Sequence, residues 1–339
     1  MKKKHSKNWK ILLVILTIIL IFIFAGWALA YHYVGDIETT KITKSDEELG
    51  VDSELSDKKI VNIALFGIDE GVTGQPEGVR SDAMVILTLD KNDNAVKLTS
   101  LLRDSQVEVE GYGNQNLNQA YKFGGPELAI KTINQNYDMD IKDYVTVNFS
   151  QLKEIVDAVG GVNIETRPEE LSEINAGSPN SQYLEAAGET TLTGEQALAY
   201  SRIRTAGTDV ARSHRQQYVL NAIFQKLKAM PKSDYPSVIK KFMPMVETSL
   251  SYNELIALVP FVAKDFTVEQ NIIPLKKYET DLWGGMITPS CWSWTYDLDN
   301  AANRLHHIIY NTPYEAPEAT EATGENSEIF NQMYDEDAN

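Results

Sequence analysis

The chain opens with an uninterrupted apolar run and then changes period. Ile11 to Ala30 is twenty residues without a charge. At about 1.5 Å per residue it reaches roughly 30 Å, the thickness of a bilayer's hydrocarbon core. Five lysines precede it, and Trp9, Trp27, Tyr31 and Tyr33 flank it as interfacial aromatics. This predicts a cytoplasmic basic tail over 1–10, a single transmembrane helix over 11–31 and everything beyond it outside the cell. Ala28-Leu29-Ala30 also has the form of a signal-peptidase site, a competing reading that leaves the rest of the chain equally external. Residues 32–58 are polar and predict an extracellular stalk.

Beyond the stalk, short apolar runs alternate with helical patterns. Ile60–Phe66, Met84–Leu89 and Val96–Leu102 read as strands, the last two joined as a hairpin by Asp90-Lys-Asn-Asp-Asn94. A helix is expected from Glu127 to Tyr137, opened by Pro126, and a strand over Tyr144–Phe149. Ser150 is the expected cap of a helix that ends at Gly160-Gly161. Residues 166–188 read as a surface excursion. Helices follow near 194–200, from Asp209 to Met230 and over 235–243, 252–264 and 297–310, with a short strand at 271–273. Interleaved strands and helices predict an α/β fold, a central mixed sheet flanked by helices on both faces, over residues 59–312. The acidic, Glu-Ala-Thr-rich stretch 313–339 is expected to be disordered.

Charge narrows the class. The net charge is −17, so nucleic acid, which is bound through basic surface, is not an expected partner. The single cysteine, Cys291, excludes an intrachain disulfide and sits in an aromatic run that reads as packing. The five histidines show no metal-ligand spacing.

Arginine use is the informative feature. The chain has 23 lysines but only eight arginines. Six of the eight lie in Arg80-Ser-Asp82, Arg103-Asp104 and the stretch from Arg202-Ile-Arg204 through Asp209-Val-Ala-Arg212 to Arg215-Gln-Gln217. Arginine's planar fork matches phosphate oxygens, which lysine's point charge does not. Arg202 and Arg204 share a side if that segment is extended, and Asp209, Arg212 and Gln216 share one helical face. Surface Arg–Asp ion pairs account for any one pair equally well. For the whole set, an anion pocket with aspartates that orient arginines and hold Mg2+ is expected.

Several motifs then resemble the LytR-CpsA-Psr (LCP) family. They are Phe66-Gly-Ile-Asp69, Arg80-Ser-Asp82, Leu98-Thr-Ser-Leu-Leu-Arg103-Asp104, Asn118-Gln-Ala-Tyr121 with Gly124-Gly125, and Val156-Asp-Ala-Val-Gly-Gly-Val162. Leu192-Thr-Gly-Glu-Gln-Ala-Leu198, Tyr200-Ser-Arg-Ile-Arg204 and Asp209-Val-Ala-Arg212 with Arg215-Gln-Gln217 complete the set. The resemblance spans about residues 60–225. It implies an apolar lipid cleft with a pyrophosphate at its mouth, and transfer of a glycopolymer such as teichoic acid or capsule from an undecaprenyl-pyrophosphate carrier to peptidoglycan. It further implies that Asp69 and Asp82 hold Mg2+, and that Arg80, Arg103, Arg202, Arg204, Arg212 and Gln216 contact the phosphates. Asp104 and Asp209 orient them, and the apolar runs 127–164 and 218–227 are candidates for the cleft wall. Asp69 and Asp82 are alternative proton acceptors. The membrane-anchored phosphotransferase has three rivals: a polyprenyl pyrophosphatase, a non-catalytic lipid-glycan binder and a membrane-bound regulator of envelope genes. The chain departs from the family pattern at Leu102, where proline is usual, which returns an N–H donor to that turn.

Overall fold

Long β-branched and aliphatic runs build the centre of the molecule. In order, the elements are β1 (Ile60–Ile68), β2 (Ser81–Asp90), β3 (Ala95–Leu101), β4 (Gln106–Val109), β5 (Gly113–Asn116), α1 (Leu117–Tyr137), β6 (Asp143–Asn148), α2 (Phe149–Ala158) and β7 (Val162–Thr166). They continue with α3 (Leu171–Gly177), β8 (Gly188–Leu192), α4 (Gly194–Ser201), α5 (Asp209–Ala229), α6 (Tyr235–Phe242), β9 (Glu247–Thr248), α7 (Tyr252–Val262), β10 (Thr267–Ile273), β11 (Trp283–Thr288), β12 (Cys291–Thr295) and α8 (Leu298–Tyr310). The computed structural model describes residues 42, 45–51, 57–69, 78–203, 209–262, 264–275, 278, 282–288 and 291–317, without the side chains of residues 209, 262, 288 and 291. The predicted basic tail and the 11–31 span lie outside the described residues. Among the described residues, no helix is long and apolar enough to cross a membrane.

Six strands form one mixed sheet in the order β10-β3-β2-β1-β6-β9. β1 runs antiparallel to β2 and parallel to β6, and β3 is parallel to β10. Alternation along the strands splits the core in two, because successive side chains point to opposite faces. Ala64, Phe66, Met84 and Ile86 pack under α1 and α8 with Ile130, Ile133 and Leu305. Ile63, Val85, Leu87 and Leu98 pack on the other face with Leu220 and Phe224 of α5 and Leu255 and Leu258 of α7. Helices therefore cover both faces, as expected. The 127–137 part of the run proposed for the cleft wall lies on the face away from α5.

Local outcomes differ from expectation in physically simple ways. Helix α1 begins ten residues before Glu127 and is broken at Gly124 and Gly125. Gly125 has φ 64° and ψ −157°, a conformation only glycine adopts readily, and the expected helix is the half beyond this kink. The cap of α2 is Asn148, not Ser150: its side chain accepts the Gln151 N–H at 2.8 Å and the Gln151 side chain accepts the Asn148 N–H at 2.8 Å. The 166–188 excursion contains α3 and is bracketed by the β7–β8 hairpin. Residues 45–51 were assigned to the stalk, yet Leu49 is fully buried in the main core and its carbonyl accepts from Asn134 Nδ2 at 2.8 Å. Residues 313–317 belong to the stretch expected to be disordered, yet Tyr314 within it and Thr312 just before it are tied down. The Thr312 carbonyl lies 2.7 Å from His307 Nδ1, and Tyr314 donates to the Tyr278 carbonyl at 3.2 Å.

Candidate active site

The strand ends position the first two acids. β1 stops one residue before Asp69, which is exposed. In the β1–β2 ladder Gly67 pairs with Ala83 and Ile68 with Ser81, so Asp82 is left out as a bulge. A bulged residue is released from the pleat and its side chain re-aimed. Here it turns toward β3's end, where Asp82 Oδ1 accepts from Arg103 Nη1.

Arg103 is held from two sides. Its Nε donates to Asp104 Oδ2 at 3.3 Å. Asp104 Oδ1 in turn accepts from Asn116 Nδ2 at 3.2 Å, and the same amide group donates to the Trp292 carbonyl at 2.9 Å. Ser293 Oγ donates to Asn116 Oδ1. The β11–β12 hairpin thus fixes Asn116, which fixes Asp104, which fixes the guanidinium. At the turn itself the Leu102 N–H donates to the Ile273 carbonyl at 2.8 Å. Leucine here extends the β3–β10 ladder by one bond that proline lacks, and its buried side chain packs with Val210, Ile272 and Trp294.

Helix α5 closes the other side. Arg212, Ser213 and Gln216 line a small pocket together with Asp82, Leu102 and Arg103, which confirms the shared face of Arg212 and Gln216. The next residue, Gln217, is fully buried. Its Nε2 reaches the Leu98 carbonyl at 3.2 Å, Ser100 Oγ at 2.9 Å and the Asn271 carbonyl at 2.7 Å. This side-chain clamp sets the helix against β3 and β10. Arg80, just before β2, is exposed, and with the Gln119 amide oxygen turned toward it donates two bonds of 3.1 Å.

Some expected members stand elsewhere. Arg202 is the C-terminal cap of α4 in right-handed helical backbone, not an extended segment. Its guanidinium lies 4.2 Å from the Phe149 ring centroid, a cation–π contact, and it does not line the pocket. Arg204 and the side chain of Asp209 lie outside the described residues. Arg215 points away from the pocket and pairs with Glu170 at 2.7 Å, both side chains buried. Asn116 was not singled out from the sequence, and Gln119 entered only inside the Asn118–Tyr121 motif, with no role given to it. The signal was present: arginines fixed in a site need planar acceptors, and both amides sit where the chain turns from β5 into α1.

Among the described residues no group of three or more His, Cys, Asp and Glu is placed to hold a metal. Asp69 and Asp82, at the same end of β1 and β2, are hard oxygen donors. Such a pair fits Mg2+ when phosphate oxygens and water complete the shell, because Mg2+ is commonly held by one or two carboxylates plus substrate.

The class defined so far is an α/β protein with an arginine-rich, carboxylate-lined pocket at the ends of its central strands. The sequence profile of the LytR_cpsA_psr family matches residues 29–297, and the chain belongs to that family. It is 32% identical over 262 residues to the polyisoprenyl-teichoic acid–peptidoglycan teichoic acid transferase TagU of Enterococcus faecalis, covering 74% of this chain and 82% of that one. It is 29% identical to the corresponding transferase TagT of Bacillus subtilis, covering 79% and 86%. Among solved structures, TagT bound to LIIa-WTA matches with TM-score 0.62 and 26% identity over 81% of this chain and 97% of that one. TagV of B. subtilis matches with TM-score 0.61 and 26% identity over 76% and 100%.

Proposed function

We propose that this protein is a membrane-anchored, external phosphotransferase that moves a glycopolymer from a polyprenyl-pyrophosphate carrier to a sugar hydroxyl of peptidoglycan. The observation that carries the proposal is the pocket in which Asp82 and Asp104 both hold Arg103 while Arg212 and Gln216 face it from α5. The names of the family relatives as teichoic acid transferases support the same reaction class.

In this reading Arg103 and Arg212 receive the pyrophosphate oxygens, Arg80, Arg202 and Arg204 are further phosphate contacts, and Asp209 orients Arg212. The acceptor oxygen attacks the sugar-proximal phosphorus. A new P–O bond forms, the bond to the bridging oxygen breaks, and lipid phosphate leaves. The proton passes to Asp82 or Asp69. Phosphoryl transfer asks the protein mainly for positioning and charge stabilisation, and arginines fixed in advance supply both without reorganising. Asp69 and Asp82 would hold Mg2+, which when bound neutralises charge developing on the phosphates. The prenyl chain enters the apolar layer between the sheet and α5, beside Leu220 and Phe224.

Product analysis tests the reading. Lipid-linked polymer is incubated with the full-length chain, with and without polymer-free peptidoglycan. Polymer joined to peptidoglycan through a phosphodiester, with release of polyprenyl phosphate that depends on acceptor, is expected. Equal release without acceptor makes the protein a pyrophosphatase and sinks the proposal.

A further inference from the structure

A concavity far larger than the arginine pocket lies on another side of the molecule. It is a groove enclosing about 1000 Å³ between the β7 strand with its following turn, residues 163–170, and the outer side of α5. Along the helix its wall is formed by Ala211, His214, Tyr218, Ala222, Gln225 and Ala229. These recur every three or four residues, so the groove follows one helical stripe for about 27 Å. The arginine pocket uses the opposite stripe, Arg212, Ser213 and Gln216. One helix therefore separates two concave sites, and the groove begins at Ala211, one residue from Arg212.

We infer that this groove binds a glycan strand of peptidoglycan and delivers it toward the phosphate site; the identity of the glycan rests on the proposed transfer reaction. The lining decides the chemical class. Glu165, Arg167 and Lys226 face the groove, and burying charges against a prenyl chain is costly. Nucleic acid is a poor fit for a chain of net charge −17. A sugar ring has apolar C–H faces and hydroxyls that both donate and accept. The groove answers each feature. Tyr218 is 40% exposed and offers a flat ring. Asn163, Asn221 and Gln225 line it with amides that both donate and accept. Ala211, Ala222 and Ala229 leave room for ring bulk. Arg167 and Lys226 suit the carboxylates that peptidoglycan carries. Glu170 and Arg215 form a buried pair in the groove wall, and burial, with the charge of Glu170 adding to it, pushes the neighbouring Tyr200 hydroxyl pKa up. The floor is thus fixed and without net charge before any ligand arrives.

The test uses the full-length chain and soluble glycan fragments from muramidase-digested, polymer-free peptidoglycan, with binding measured calorimetrically. Tyr218→Ala, and separately Asn221→Ala with Gln225→Ala, should each lower fragment affinity about tenfold while inorganic pyrophosphate binding stays unchanged. In the transfer assay the same variants should raise the acceptor KM and leave kcat within twofold. Fragment affinity equal in wild type and variants, or absent in wild type, overturns the inference. Should that occur while donor turnover persists, the proposed reaction stands and only the groove assignment falls. Groove-dependent fragment binding without any donor turnover sinks the reaction and leaves the binding site.

Discussion

Two arginine–carboxylate pairs flank helix α5, and they do opposite things. Arg103 with Asp82 has side chains 20% and 31% exposed, and a second acid, Asp104, shares the guanidinium. Arg215 with Glu170 has side chains 6% and 4% exposed. There the bonding is consumed internally. Arg215 Nη1 also reaches the Ile203 carbonyl at 3.4 Å, and Glu170 Oε2 accepts the Arg167 N–H at 2.9 Å. The same residue types line an accessible pocket in one place and form a structural tie where the protein closes over them. Residue chemistry alone does not separate the two roles.

Substitutions can break this contrast. The largest effect is expected at the buried pair. Arg215→Ala strands the Glu170 carboxylate and should cost about 3–5 kcal/mol in denaturant unfolding, with pyrophosphate affinity per folded molecule retained. Loss of phosphate affinity in the folded fraction would erase the distinction. Arg103→Ala should reverse the pattern, with transfer falling about 10²- to 10³-fold and the thermal midpoint little changed. A midpoint collapse would show that Arg103 is structural as well. Asn116→Ala is next, since it removes a charge-assisted bond worth about 1.5–3 kcal/mol. It should lower transfer by roughly tenfold and be non-additive with Asp104→Ala in a double-mutant cycle, because both act through one guanidinium. Full additivity would remove Asn116 from the chain of contacts.

The smallest effect concerns pH. Burial pushes the Tyr121 hydroxyl up to about 12, against a bond to Thr146 Oγ1 that lowers it. The unfolded tyrosine ionises near 10, so the stability this group contributes is complete below pH 10 and is lost as pH rises toward 12. Tyr121→Phe should flatten the fall of unfolding free energy over that window and leave the curve below pH 9 parallel to wild type. An unchanged slope would assign the alkaline transition to other groups.

Much of this was legible in sequence, for a physical reason. Strands β1, β2 and β3 are continuous apolar runs bounded by turn residues, and they appear nearly where expected. The Arg212–Gln216 face follows from helical period alone, and both residues do line the pocket. What escaped was non-local. A shared side for Arg202 and Arg204 depends on extended backbone there, but the α4 helix continues to Arg202. Arg215 looked like its neighbours until the fold brought Glu170 against it. Asn116 has no local pattern, because its partners come from two distant places in the chain, Asp104 and the neighbouring Trp292 and Ser293. Side-chain direction at Asp82 is likewise set by register with β1, which a single strand does not display.

That register carries a consequence for how the site can change over time. Because Asp82 is skipped in the ladder between β1 and β2, replacing its side chain leaves the strand pairing itself intact. Exchange of that side chain can alter the contact made with Arg103 without shifting the register of the two strands. A single-residue deletion at 82 would do the reverse. It would straighten the strand and restore regular pairing, and leave Arg103 with Asp104 but without the contact from Asp82. The bulge thus separates heritable variation in what faces the pocket from variation in strand pairing.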